Sequence, residues 1–535
     1  MKTFIEPPSD RYQQAFFRET IDDSIPSDHP VRAVDFIVEQ FDYSGWLTEY
    51  SGGGRPSYPP CEMCKLIIYG NMVGINSSRK LEYVCLNNKD FIWLLNGYAP
   101  DHDTIADFRK RYAHRFKEIF KQTVVIGINT GIVSMRRIAV DGTRVKSNSS
   151  RWKTKKASDI EKMLSELDSR IDGILKSAAD QDQRENDLFG NCITPNKLPK
   201  ELADLKKRQE LLKKAFKKVK EKSERAVKTG SASKEKAAEK RVPITDPDSD
   251  VMKNKDGGFA PNYNAHLAVD CESGMIVAQG VTNEHVDAGH LQPACEEAIE
   301  ATGITAEQVL ADSAYSTTEN LEYLEERGID ACIPPMHSNP HKDREKKQRW
   351  ADDVPRTLKH RDGSDVDGAA MPRDSEGKFD KSAFKYDEQN DCYICPLGHS
   401  VKRFGKTTDK RQHPPKIRYR YRCGDCGDCS FRPVCTTDPR GRTISRNEDA
   451  FIHERHKARM HAPHRKDKYK LRRQTVEPTF GIMKDIHNMR RFLTRGMKGV
   501  RIEWSIASVA FNVKKLVKHI NGNVITLDSL AKALV

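Results

Sequence analysis

Three acidic residues, far apart in the chain, stand in settings suited to metal-assisted chemistry on phosphate esters. Asp141 ends the apolar run Arg137-Ile138-Ala139-Val140 and opens Asp-Gly-Thr, and Asp312 ends Gln308-Val309-Leu310-Ala311 and opens Asp-Ser-Ala-Tyr. Glu477 lies in Gln474-Thr475-Val476-Glu477-Pro478-Thr479-Phe480-Gly481. Strand-end carboxylates are displayed at the sheet edge, where α/β sheets bind ligands. Mg²⁺ takes a few carboxylate oxygens and keeps its other positions for water and phosphate. Two such ions about 4 Å apart activate an attacking water or 3′-hydroxyl and stabilise the leaving oxygen. Taken singly, each Asp-Gly or Asp-Ser is an ordinary strand-to-turn pair.

The glutamate has company. Tyr469, Arg473, Glu477 and Lys484 follow one another by four, four and seven residues, which sets them on one helical face. Arg473 and Glu477 alone make an exposed ion pair worth a few tenths of a kcal/mol. With Lys484 two turns on, they suit a metal ligand flanked by phosphate clamps. Pro478 is tolerated early in a helix, and Gly481 permits close packing.

A second constellation is sulfur-rich. Cys392-x2-Cys395 is followed by Cys423-x2-Cys426-x2-Cys429-x5-Cys435. Paired-cysteine knuckles at this separation predict a zinc ribbon with Cys392, Cys395, Cys423 and Cys426 as ligands, and Cys429 or Cys435 as alternatives within a pair. An iron–sulfur cluster is the other possibility for six thiols. Between the knuckles, Arg418-Tyr419-Arg420-Tyr421-Arg422 alternates, so a strand there puts arginines on one face for backbone phosphates and tyrosines on the other. Cys61-x2-Cys64 sits on an apolar helix and reads as core packing. The histidines at 453, 456, 461 and 464 lie among cations, which favours a DNA-facing basic segment over a metal site.

The elements that must position these residues follow from periodicity. Residues 1 to about 125 are helical, with a serine-capped helix opening at Ser77-Ser78. Strands are expected at Thr123-Val124-Val125-Ile126, at Ile138–Asp141, at Tyr263–Asp270 with a hairpin into Met275–Val281, and before Asp312. Helices 291–301 and 318–327 alternate with them, and Asp330–Ile333 adds a short strand. That order predicts a mixed α/β core, a five-stranded sheet flanked by helices. Leucines at heptad spacing from Ile160 to Val219, broken at Gly190 and Pro195, predict an antiparallel helical hairpin with a solvated lysine-rich face. Residues 337–390 lack apolar periodicity and are expected to be loop.

The chain of 535 residues carries a formal charge of +14, with 31% charged residues, a balance that favours a polyanionic partner. No secretory h-region opens it, and no run of about 18 apolar residues occurs, so a soluble, membrane-free protein is expected. Thirteen cysteines, an odd number, fit a reducing cytoplasm better than a disulfide framework.

Val140-Asp141-Gly142-Thr143, Pro261–Ala265 before Val269-Asp270, Leu310–Tyr315 and Val476–Gly481 together resemble the DDE transposases of bacterial insertion sequences. Tyr58-Pro59-Pro60, Ser77-Ser78-Arg79 and Pro100–Arg109 resemble that group's helical amino-terminal part. The resemblance implies a ribonuclease H-like core with Asp141, Asp312 and Glu477 as the catalytic triad on two Mg²⁺ ions, Mn²⁺ being a substitute. It also implies Arg473 and Lys484 as DNA-phosphate ligands, from a Tyr-Arg-Glu-Lys signature in which Tyr469 stands one residue early. The expected organisation is a helical domain over 1–125 for DNA ends or dimerisation, a core from 126–150, 246–336 and 470–535, a hairpin insertion over 151–245, and a basic insertion with a zinc module over 337–469. The implied activity is cleavage at transposon ends and joining of the 3′-hydroxyl to target DNA. Its partners are double-stranded terminal repeats, target DNA and a second copy of the chain, in the cytoplasm at the bacterial nucleoid. The alternatives are a stand-alone Mg²⁺ nuclease and a non-catalytic, transposase-derived DNA-binding protein.

Overall fold

The computed structural model describes residues 20–49, 57–189, 200–228, 230, 232–254, 257–336, 358–359, 364–366, 371–374, 377–409, 415–522 and 524–533. The Gly190–Pro195 hairpin tip expected from sequence lies outside these residues.

The amino-terminal part is helical: α1 (Pro30–Glu39), α2 (Pro60–Met72), α3 (Ser78–Asn87), α4 (His102–Arg111) and α5 (Ala113–Asn129), with shorter turns between. Ser77 stands at the N-cap of α3, but its side chain makes no capping bond. Helix α5 corrects the strand expected at 123–126, so the break placed at residue 125 falls inside a helix. Its Thr123-Val124-Val125-Ile126 run is β-branched, yet the buried residues Phe116, Ile119, Phe120, Thr123, Val124, Ile126 and Gly127 step at helical spacing. Packing against the carboxy-terminal helix outweighs the local strand preference.

The main sheet has six strands where five were expected: β1 (Arg137–Lys146), β2 (Asp250–Lys253), β3 (Phe259–Asp270), β4 (Ile276–Thr282), β5 (Gln308–Leu310) and β6 (Asp330–Cys332). β4, β3 and β1 run antiparallel in that spatial order, and β5 and then β6 join β1 in parallel. The extra strand, β2, pairs with the beginning of β3. Both faces of β3 are covered, which is why its side chains are buried almost end to end rather than alternately.

Two long helices follow the hairpin expectation, α6 (Ala157–Phe189) and α7 (Lys200–Lys228), closed by Ile160, Leu167, Leu202, Leu205, Leu212 and Val219. The lysine-rich face is not simply solvated. Lys214 and Lys218 stand 3.6 and 3.5 Å from Asp248, and Lys222 pairs with Asp250, so this face is docked on the rim of the main sheet. Helix α8 (Leu291–Thr302) packs on the antiparallel strands β4 and β3, and α9 (Thr318–Glu326) on β6 at the parallel edge.

Most of the loop expected over 337–390 lies outside the described residues, and from Lys385 the chain forms a second, antiparallel sheet that carries the cysteine module. Its strands β7 (Lys385–Asp387), β8 (Cys392–Ile394), β9 (Ser400–Asp409), β10 (Lys416–Cys423) and β11 (Thr443–Asn447) pair in sequence order around their own apolar core, which includes Phe379, Tyr393, Tyr421 and Phe431. The chain then returns through α10 (Ala450–Met460), α11 (Pro463–Asp485) and α12 (Gly496–Asn521). Helix α12 is the central buried helix. Asn512 pins it to β4, accepting the Ile276 N–H at 2.8 Å and donating to the Ile276 carbonyl at 2.8 Å and to Thr123 Oγ1 at 3.0 Å. The amino-terminal helices, the main sheet and α12 therefore share one continuous core.

Two histidines are buried in that core without hydrogen-bond partners for either ring nitrogen, His266 and His487. Burial pushes both down to about 3, with the stacked His290 adding to the effect at His266 and Lys514 at His487. The unfolded chain takes up these protons near the ordinary histidine value while the folded chain refuses them. Stability is therefore complete above that value and is lost as pH falls below it. At about pH 5 each histidine is expected to cost about 2 kcal/mol. Urea unfolding at neutral and acid pH checks this, and His487→Leu is expected to flatten the decline.

Candidate active site

The backbone register brings the two aspartates to one level. β5 pairs in parallel with β1 only as far as Ala139 opposite Leu310. Two residues further on, β1 carries Asp141 while the other chain has already turned away at Asp312. Asp141 is thus in mid-strand, not at a strand end, because β3 stays paired with β1 from Ile138 to Lys146. The crevice opens where β5 stops, at the carboxyl end of the parallel strands. Asp312 caps the short turn Ser313–Tyr315, its Oδ1 accepting the Ala314 N–H at 2.9 Å.

Glu477 reaches the same crevice from α11, which lies against β1. Val476, Thr479, Phe480 and Met483 form its buried stripe. Pro478 lies in the helix interior rather than its first turn, where it cannot donate to the Gln474 carbonyl. The inward arginine is Arg472, which the sequence reading passed over. Its Nη2 is 2.8 Å from Asp141 Oδ2 and its Nη1 is 3.9 Å from Glu477 Oε1. Arg473 is exposed and pairs only with Glu477, at 3.6 Å. Lys484 donates to Thr143 Oγ1 at 2.6 Å, on the same face of β1 as Asp141. Tyr469 is half-buried beside Arg472. Tyr469 and Arg472 are three residues apart on the helix, so the tyrosine is in step with Arg472 rather than with Arg473. That was the available signal for the arginine.

The electrostatics centre on Asp141. Burial pushes its carboxyl up, opposed by Arg472 and by the Gly142 N–H, while Asp312 adds to the upward push. Burial works against the Arg472 charge, yet Asp141, Tyr469 and Asp312 together hold the guanidinium above its ordinary value. Two more groups face the crevice that sequence gave no reason to choose. Asp287 hydrogen-bonds to Asn264 and fills the space over Gly142, where a Cβ would stand 2.7 Å from Asp287 Oδ1. The fully buried Tyr315 has a hydroxyl without a hydrogen-bond partner, and burial followed by the charges of Asp287, Asp141 and Asp312 keeps its phenol protonated.

The donors around the crevice are all carboxylate oxygens, the set that suits a hard cation such as Mg²⁺. A positive charge already sits among them, in the guanidinium of Arg472. Among the described residues no three acidic, thiol or imidazole side chains are arranged as a metal cluster, and Arg472 occupies Asp141 Oδ2.

The other predicted residues are placed elsewhere. On β10, Tyr421 is buried and its hydroxyl donates to Asp391 Oδ1 at 2.6 Å. Arg420 and Arg422 lie over the Phe404 ring at 5.1 and 4.2 Å, and Arg418 donates to Asn447. The basic stretch through α10 and into α11 is docked in part on β6, the segment after it and α9. Arg465 makes two 2.6 Å bonds to Asp330, Arg455 pairs with Glu325, and buried His456 meets the Ile333 carbonyl. Cys395, Cys423, Cys426, Cys429 and Cys435 line one small cavity, but Cys392 does not. Cys64 is buried in the helical core, as packing required.

Residues 394–517 match a family model described as a transposase DDE domain, and residues 19–111 match one described as a transposase domain (DUF772). No curated protein and no solved structure matches the chain. The two matches support a DDE transposase. The first takes in Glu477, Arg472 and Lys484, whereas Asp141 and Asp312 lie outside both. No helix among the described residues is long and apolar enough to cross a membrane.

Proposed function

We propose that this chain is a DNA transposase whose main sheet is a ribonuclease H-like core, with Asp141, Asp312 and Glu477 as its metal-binding triad. The observation that carries the proposal is the convergence at one crevice: Asp141 on β1, Asp312 just past the end of the neighbouring β5, and Glu477 tied to Asp141 through Arg472. Two Mg²⁺ ions held by these carboxylates supply activation of the attacking oxygen and stabilisation of the leaving oxygen.

The chain's own residues bind and orient the DNA. Arg473, exposed beside Glu477, engages a backbone phosphate, and Lys484, steadied by Thr143, holds a second one further along β1. Attack by water at the transposon end breaks the P–O3′ bond and frees a 3′-hydroxyl. That hydroxyl then attacks a target phosphate in line, and the target's own 3′-oxygen leaves. Joining two ends calls for at least two copies of the chain on DNA, and the amino-terminal helices are assigned to end binding or dimerisation.

A duplex carrying the element's terminal repeat, incubated with target plasmid and Mg²⁺, is expected to yield both cleaved ends and joined products. Cleavage without joining would point to a stand-alone nuclease, and binding without either to a non-catalytic DNA-binding protein. A binding measurement tests the phosphate assignment separately. Arg473→Ala is expected to weaken DNA affinity equally for all sequences and to make the salt dependence shallower by about 0.9 in the log–log slope. An unchanged slope would remove Arg473 from the DNA contacts.

A further inference from the structure

We propose that Cys395, Cys426, Cys429 and Cys435 bind one structural Zn²⁺ ion at the end of the second sheet, with Cys392 and Cys423 outside the ligand set. The inference stands apart from the phosphoryl-transfer site and does not depend on it.

Five cysteines line a cavity of about 20 Å³, walled by Phe379, Phe384, Leu397 and Phe431. That is room for one ion or one water molecule and little else. A buried cysteine ordinarily behaves as a small apolar side chain, but five cysteines around one small cavity exceed what packing asks for. All five are free thiols, so no disulfide accounts for the convergence.

The backbone prepares sulfur for a charge. Residues 395–399 form a tight turn in which the Cys395 N–H donates to the His399 carbonyl at 2.9 Å and the Gly398 N–H to the Cys395 carbonyl at 2.9 Å. The His399 N–H is then aimed at Cys395 Sγ, at 3.3 Å. Burial pushes the Cys395 thiol up and this bond opposes that only in part, so zinc, which takes thiolate, would displace the proton on binding. Gly398 makes the turn possible with a φ of 84°. Across the cavity, Gly441 at φ 97° presses on the cysteine loop, where a Cβ would come within 3.3 Å of Cys426 Sγ.

The choice of four rests on placement. Cys392 is held in β8 opposite Lys402 and is absent from the cavity wall. Cys423 is the last residue of β10, its N–H bonded to the Arg442 carbonyl and its backbone paired with Val401. Cys426 and Cys429 belong to the irregular loop beyond it, and Cys435 ends the short helix Arg432–Cys435. Cys423 also lines the cavity and its side chain contacts Cys426; fixed by the end of β10, it is assigned a supporting place beside the ion rather than a ligand's. Among the described residues the four ligands are not yet gathered as a metal cluster, so binding draws the sulfurs inward to about 2.3 Å from the ion.

Such an ion would fasten three poorly structured connections to each other: the β8–β9 turn, the loop after β10 and the short helix. A sheet with so small an apolar core gains much from that. The benefit reaches α10 through Arg446 of β11, which bonds Glu454 at 2.5 Å.

The test is metal analysis of the full chain purified without chelators. Elemental analysis is expected to find about one zinc per chain, and Cys395→Ser, Cys426→Ser, Cys429→Ser and Cys435→Ser each to lose most of it. Cys392→Ser and Cys423→Ser are expected to retain it. Because a serine in the cavity can unfold the sheet, Co²⁺ exchanged into the unaltered chain gives an independent readout, and the spectrum of a four-thiolate tetrahedral site is expected. A wild-type chain without zinc, iron in its place, a cobalt spectrum of fewer thiolates, or loss of zinc on replacing Cys392 or Cys423 would each overturn the assignment.

Discussion

Glu477→Gln is expected to reduce Mg²⁺-dependent cleavage of end-containing DNA by at least about a thousandfold, or about 4 kcal/mol in the barrier. Asp141→Asn and Asp312→Asn are expected to act as strongly, but the glutamate is the cleanest probe. Its side chain is 48% exposed and its ion pairs, at 3.6 and 3.9 Å, are loose, so the amide leaves the fold unaltered. Asn at 312 can still accept the Ala314 N–H and cap the turn. Asn at 141 is less neutral, since it leaves the Arg472 charge buried with a weaker partner. Cleavage is to be measured together with the thermal midpoint of each variant. If all three retain wild-type cleavage, the crevice is not the site of phosphoryl transfer.

How much of this site could be read in the sequence differs from residue to residue. Asp141 and Asp312 were legible because each terminates an apolar run, although β1 continues through Asp141 on the strength of its pairing with β3, a long-range fact that no local pattern carries. Glu477 was legible from its helical neighbours. The same periodic argument chose Arg473 over Arg472, because the face that shares Glu477 is exposed. The face that meets the sheet begins one residue earlier and continues through Val476, Thr479 and Met483. Asp287 and Tyr315 left no signal, since their approach to Gly142 and to the aspartates depends on how a loop and a short turn fold over the strand ends. The Thr123–Ile126 run misled for the converse reason. Its β-branched residues are ordinary strand formers, and only the arrival of α12, nearly four hundred residues later in the chain, makes them one face of a helix. In the cysteine module, spacing grouped six sulfurs in pairs, whereas the fold sets five of them around one cavity and holds Cys392 in β8, a partition that strand pairing decides and spacing does not.

Arg472→Met is expected to lower the stability of the metal-free protein by about 3–5 kcal/mol, the usual result of removing one partner from a buried ion pair. The Asp141 carboxyl, already pushed up by burial, would lose the charge that most opposes that push. Arg473→Met one residue away is expected to change stability by no more than about 0.5 kcal/mol, since that side chain is exposed. Arg472→Lys keeps the charge but not the two-pronged reach to Asp141 and Glu477, and should fall between them. The position of the guanidinium also predicts how Mg²⁺ acts. Arg472 and a cation compete for the same carboxylates, so in Arg472→Met the carboxylates are free and added Mg²⁺ is expected to raise the thermal midpoint by more than it does in the wild type. A purely structural arginine would lower stability without altering that response. Equal midpoint shifts in the two proteins would therefore mean that Arg472 holds α11 on the sheet but does not stand where a metal ion binds.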